Sequence, residues 1–428
     1  MTPSVALHAQ LERQQDETIQ LCQALIRANT VNRYSGDPLH LVGNEANGQA
    51  VLEPLFAGLG ATLEKFDCPP DIYSRMGVLG PRSRDFRDRP NLLARLDFGG
   101  GGPDALIQVH MDTVGVSGMT IEPWSGEVRE GRIYGRGSSD CKGGIAAAAM
   151  AVRAVWEFRS QLHGSITFLS VVEEECNGSG AGALAACERG IRADFALCAD
   201  GSGPEIGRGY SGVTTVHVDV VGVPGHASRP DGVSAIEKAL VVKEGIDQLK
   251  REREAASDRA TVNLGIFRGG VHPAVIPGSA ELELNMCYPI SDALASEAAG
   301  SGFNGSILMR RFEELVRARE QQDPWLQAHP VEITWVKDLL PFEFAEDHWL
   351  VQELADTHAA VLGRPAEPYV HPAWSDACYL PRFRRIPVVL YGAGTDSQPH
   401  GAGEYGEVER ILDCSRVLAH FLYRKLAA

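Results

Sequence analysis

His110 and Asp112 stand two residues apart at the end of a short apolar run, Ala105-Leu-Ile-Gln-Val109. An imidazole that binds a metal through one ring nitrogen commonly gives its other N–H to a carboxylate, which fixes the tautomer and raises basicity. Alone, such a pair is more often a polar cap on a strand end. Further donors occupy equivalent places, however. Asp140 lies in Tyr134-Gly-Arg-Gly-Ser-Ser-Asp140-Cys-Lys-Gly-Gly144, just before an Ala-rich run. Glu173, Glu174 and Glu175 follow the β-rich run 164–172, Asp200 follows Phe195–Ala199, and His400 follows the apolar run 386–391. Like-signed carboxylates gathered at one edge need a cation, and a divalent metal pair is the simplest.

The elements that must position these residues alternate. Strands are predicted at 61–66, 91–96, 105–109, 164–172, 195–199 and 386–391, with helices at 5–29, 49–59, 145–158, 178–188, 349–362 and 408–423. Such alternation predicts an α/β fold with a mostly parallel sheet, whose ligand crevice lies at the carboxyl ends of the strands. Gly143 and Gly144 let the backbone come close to whatever sits there. Composition changes near residue 209. Strand 212–223, helix 233–253, strands 261–267 and 278–287 and helix 307–320 read as a smaller α+β sandwich inserted into the larger domain. The expected division is therefore 1–208 and 325–428 for the metal-binding domain and 209–324 for the insert, with 321–324 as return linker and strand 331–336 back in the larger domain. Residues 79–90 read as a charged surface loop with solvated arginines.

With 428 residues, two domains are the prior. A net charge of −16 argues against nucleic acid or an anionic membrane surface as the main partner and leaves a small molecule. No secretory signal and no apolar run long enough to span a bilayer is visible. Nine cysteines without paired spacing fit a reducing cytoplasm, and the absence of a C-x-x-C pair argues against a structural zinc site.

The stretches VHMDTV, YGRGSSDCKGG, VVEEE followed by GSGA, ALCADGSG, VPGHASRPDG, GG then VIPG, and PHGAGEY run in order along nearly the whole chain. In these the chain resembles the M20 metallopeptidase family, which includes acetylornithine deacetylase, succinyl-diaminopimelate desuccinylase and aminoacylase. The resemblance implies that His110 and Asp200 hold one metal and Glu174 and His400 the other. Asp140 would bridge the two, with a cis peptide bond after it. It further implies that Asp112 orients His110, that Glu173 is the general base, and that His226 reaches the site of a partner subunit in a homodimer. One or two divalent ions (Zn, Mn or Co) suit such donors.

On this reading Glu175 is solvated, Cys141 forms wall, and His217, His272, His329 and His371 are surface or packed residues. Asp376 reads equally as a helix cap or a pocket residue. Two positions depart from the family pattern: Ala274 stands where many members have Asn, and Cys287 where they commonly have a carboxylate-gripping Arg. Arg229 or Arg208 is the substitute to examine. The expected activity is hydrolysis of a C–N bond, foremost the amide of an N-acyl amino acid-like compound. The alternatives are an aminohydrolase acting on an aromatic amine, as in the family's 5-nitroanthranilate branch, and a non-catalytic binding protein on the same fold.

Overall fold

The computed structural model describes residues 3–176, 178–201, 205–229, 231–257, 259–395 and 399–427. Its larger sheet has nine strands. In spatial order they are Thr62–Phe66, Asn91–Gly99, Gly164–Val171, Asp104–His110, Phe195–Cys198, Val388–Leu390, Ile206–Tyr210 and Phe342–Glu343, with Pro368–His371 also paired to Ile206–Tyr210. The four strands from Gly164–Val171 to Val388–Leu390 are mutually parallel. The flanking pairs at both edges are mainly antiparallel. Helices cover both faces of this parallel centre, so its strands are apolar nearly throughout. Asp104–His110, for example, is buried from Ala105 onward.

The Ala-rich helix Lys142–Trp156 is buried along almost its whole length. Small side chains let it lie close to the sheet, and a Cβ at Gly144 would run into the carbonyl oxygen of Ala199, just before Asp200. The single helix expected over 5–29 is two, Pro3–Arg13 and Gln15–Arg27, separated at Gln14. The first packs on the last helix, Val408–Leu426, and the second mainly on Lys142–Trp156, so the chain must change direction between two supports.

The inserted unit is a four-stranded antiparallel sheet in the order Val262–Gly269, Ser279–Tyr288, Gly212–Val221, Glu332–Leu339. Period-two alternation turns Val216, Val218 and Val220, with Leu282, Leu284 and Met286, towards helices Ala235–Ala256 and Ser306–Glu320. The strand expected to return to the larger domain is instead this sheet's fourth member, pairing with Gly212–Val221, so the unit runs past 324 to Leu339. Ile333 and Trp335 pack against the same apolar cluster, which explains why the strand stays there. Between Trp335, opposite Val216, and Lys337, opposite Thr215, the register slips by one residue.

Candidate metal centre

The carboxyl ends of the central strands bring two donor groups together. Donor atoms of His110, Asp140, Cys141 and Asp200 lie within 4.8 Å of one another, and so do those of Asp140, Glu175 and His400. Asp140 belongs to both. Its Oδ1 is 3.0 Å from Nε2 of His110 and its Oδ2 is 3.4 Å from Nε2 of His400. Nε2 of His110 lies 3.9 Å from Oδ1 of Asp200, and Nε2 of His400 lies 3.0 Å from Oε1 of Glu175. The peptide bond between Asp140 and Cys141 is cis.

The loops are held from behind. His110 places Nδ1 3.1 Å from the backbone carbonyl of Asp112, an acceptor that leaves Nε2 facing the acids. The Asp112 carboxylate, 3.8 Å from the ring, does something else. It accepts the backbone N–H groups of Glu174 and Glu175 at 3.2 and 3.0 Å and the Asn32 amide at 2.8 Å. Glu404 plays the same part for Asp140. It accepts the N–H groups of Ser139 and Asp140 at 2.9 and 3.3 Å and pairs with Arg136 at 2.5 Å.

The three consecutive glutamates are out of step with expectation by one residue. Glu173 is fully buried and ion-paired to Arg84 at 3.2 Å and Arg89 at 2.6 Å, with Asn32 donating at 3.2 Å. It is therefore bonded into the interior rather than presented as a base. Its backbone has φ +67, so the chain turns there and the strand's alternation no longer tells which side chain faces where. Glu175, expected to be solvated, is buried against His400, whereas Glu174, expected as the ligand, lines the cavity beside the donor groups. The arginines expected to be solvated divide: Arg84 and Arg89 have side chains only 8% and 3% exposed, and Arg89 also pairs with buried Glu45. Arg84 stacks 3.9 Å above the Tyr34 ring.

Burial raises the Glu175 carboxyl to about 7, with Asp140 adding to the shift and His400 opposing it. Burial likewise lifts Glu174 well above the usual carboxylate range; His110 opposes this, while Glu175 and Asp200 add to it. For Asp140 burial acts upward too, but hydrogen bonds with His110 and His400 hold it well below that range. Cys141 is buried, and that burial pushes its thiol up to about 12. Carboxylates crowded around one shared acid, two imidazoles opposite, are donors that a pair of divalent cations would satisfy, and oxygen and nitrogen ligands suit Zn, Mn or Co.

Asp140, Glu175, Asp200 and His400 line a cavity of about 770 Å³. Its other walls include Tyr210, His371 and Trp374 from the larger domain and Thr261, Asn285, Cys287 and Lys337 from the insert. Cys287 thus faces the cavity, but His226, Arg229 and Ala274 are exposed and lie outside its lining. Arg208 is engaged with Glu343 and Glu346. Asp376 is buried and accepts from Gln108 at 2.6 Å, while the turn's cap is Ser375, so it is neither cap nor cavity wall. Composition gave no signal for Asn32, Arg84, Arg89, Glu404 or Lys337, whose partners are distant in sequence.

This fold and donor set define a metal-dependent hydrolase. The chain belongs to peptidase family M20/M25/M40, whose description matches residues 106–424, and it acts on amide C–N bonds. It is similar to the N-formyl-4-amino-5-aminomethyl-2-methylpyrimidine deformylase of Halalkalibacterium halodurans, at 27% identity over 97% of this chain and 96% of that protein. With the acetylornithine deacetylase of Proteus mirabilis it shares 32% identity over 47% of this chain and 53% of that protein. Among solved structures, human carnosine dipeptidase 1 superposes with a TM-score of 0.73 at 16% identity, covering 99% of each chain, a likeness of fold alone. No helix among the described residues is long and apolar enough to cross a membrane.

Proposed function

We propose that this chain hydrolyses the amide of a small N-acyl or N-formyl compound, releasing an acid and an amine. The observation that carries this is Asp140, whose two oxygens face His110 and His400 while Glu174 lines the same cavity. His110, Asp140 and Asp200 would hold one metal and Asp140, Glu175 and His400 the other. Bound there, the ions supply Lewis acidity that polarises the amide carbonyl and makes water reactive near neutral pH.

Glu174 is the general base in this reading. Its carboxylate takes a proton from the attacking water as the C–O bond forms, then delivers it to the nitrogen as the C–N bond breaks. Asp112 fixes the backbone on which Glu174 and Glu175 ride, and Glu404 does so for Asp140. His226, exposed and hydrogen-bonded to Ser228 at 2.7 Å, would stabilise charge on the acyl oxygen in a second copy's site, which makes a dimer the working unit. Two relatives named as a deformylase and a deacetylase support an N-acyl amine as substrate. The test is release of amine from N-formyl and N-acetyl amines by protein reconstituted with Zn, Mn or Co. Full activity after stripping with a chelator, or no amine release from any member, overturns the proposal.

A further inference from the structure

Among the described residues the buried tyrosines are Tyr73, Tyr210, Tyr288, Tyr379 and Tyr391. A phenol taken into a protein interior ordinarily finds a hydrogen-bond partner, and all but one of these do. Tyr288 donates to Asp338 at 2.7 Å and Tyr379 to the Ser179 carbonyl at 2.9 Å. Oη of Tyr391 lies 2.7 Å from Nδ1 of His358, and Tyr73 accepts the Ser179 N–H at 3.3 Å. Tyr210 is the exception. It is only 4% exposed, yet its hydroxyl bonds to none of the described residues, and it lines the cavity together with Asp200 and Gly201.

The ring is held by its strand neighbours. Tyr210 ends the strand Ile206–Tyr210, opposite Phe342 on one neighbouring strand and His371 on another. Both stack with it, Phe342 at 6.2 Å and 7°, His371 at 5.1 Å and 18°. Cross-strand ring pairs of this kind fix where the hydroxyl points. Glycines clear the space it occupies: a Cβ at Gly207 would lie 3.5 Å from Cε2 and one at Gly201 only 2.8 Å from Oη. Oη therefore borders the residue that follows Asp200, in the cavity that Asp140, Glu174 and His400 also line. Burial, with Tyr369 and Asp200 adding to it, keeps the phenol well above its usual range, so the group is a donor.

We propose that Tyr210 is a catalytic residue whose O–H donates a hydrogen bond to the acyl oxygen of the substrate as that carbonyl becomes tetrahedral. The inference rests on the amide-hydrolase reading of the site. A donor already fixed and desolvated needs no reorganisation when charge develops on the oxygen it faces. The proton stays on Oη throughout; the acyl oxygen regains its double bond as the C–N bond breaks. Unlike His226, this donor comes from the chain that carries the metal donors.

The experiment compares wild type with Tyr210→Phe, which keeps the stacked ring, both full-length and reconstituted with Zn. On N-formyl and N-acetyl amines, kcat should fall about a hundredfold while KM and zinc content hold. A phosphinate analogue of the N-acetyl substrate, tetrahedral at the reacting centre, should bind the variant about tenfold more weakly in calorimetric titration, and the product amine equally well. The ratio of the two affinities does not depend on the fraction of protein folded. An unchanged kcat, a loss carried by KM alone, or an unchanged affinity ratio overturns the proposal. If wild type cleaves no member of the series, the amide-hydrolase reading fails and this inference with it. An active wild type matched by Tyr210→Phe removes the inference alone.

Discussion

Nη2 of Arg89 lies 2.6 Å from Oε2 of Glu173, with both side chains buried, so the first of three consecutive glutamates is tied inward. The third, Glu175, sits 3.0 Å from His400. Between them Glu174 is left facing the cavity. Three identical side chains in a row thus meet three different environments.

Glu174→Gln removes the proposed base and keeps the shape. Turnover should fall by about a thousandfold, of the order a positioned acid–base group contributes, with metal content by elemental analysis unchanged. A turnover within tenfold of wild type would rule out Glu174 in that role.

Glu173→Ala leaves Arg84 and Arg89 buried without their shared carboxylate. Removing one partner of a buried pair costs about 3 kcal/mol, and because Arg89 keeps Glu45 the loss should fall at or below that figure. The variant should melt several degrees lower while the metal stoichiometry of the surviving folded protein holds.

His400→Ala and Glu175→Ala each remove a donor from one group only, whereas Asp140→Asn weakens both. Elemental analysis after dialysis should show about one equivalent of metal lost in the first two variants and close to two in the third. Equal loss in all three would argue against two separable positions.

If His226 serves the neighbouring subunit's site, the Glu174→Gln and His226→Ala proteins should complement each other. Each heterodimer of Glu174→Gln and His226→Ala has one site with both defects and one with neither. Unfolding and reassembling an equimolar mixture should recover about a quarter of wild-type activity, from random pairing into two-fold dimers. No recovery, with heterodimers demonstrated, would confine His226 to its own subunit.

Asp338 is buried, accepting from Tyr288 at 2.7 Å and from the Gly305 N–H at 2.9 Å. Burial raises its carboxyl to about 6, the two hydrogen bonds opposing. A raised folded-state value means the folded protein holds the proton more tightly than the unfolded chain. This contribution is fully present below about pH 4 and lost as pH rises through 6. Asp338→Asn should therefore gain in stability relative to wild type between pH 4 and 7.5, by about 2 kcal/mol in denaturant titrations. A difference independent of pH would contradict it.

The parallel sheet was legible from its apolar runs, and the candidate donors stood out because His110, Asp200 and His400 follow such runs and Asp140 precedes one, so that all fall at element ends. The assignment among Glu173, Glu174 and Glu175 was not. Alternation ends where Glu173 takes up a positive φ, and what settles the matter is a pair of arginines, Arg84 and Arg89, far earlier in the chain in a loop that reads as surface. Lys337 was hidden for a related reason. Its face depends on a one-residue slip against Gly212–Val221, which period-two reading of the strand cannot reveal.

The order of donors along the chain also bears on biosynthesis. His110, Asp140, Glu175 and Asp200 precede the inserted unit and His400 comes after it. A nascent chain emerging from the ribosome therefore has one donor group complete while the other still lacks its imidazole, and the whole insert must be made before that gap can close. Because domains tend to fold as they emerge, acquisition of the second ion is deferred to the last stage of synthesis, when the C-terminal segment docks.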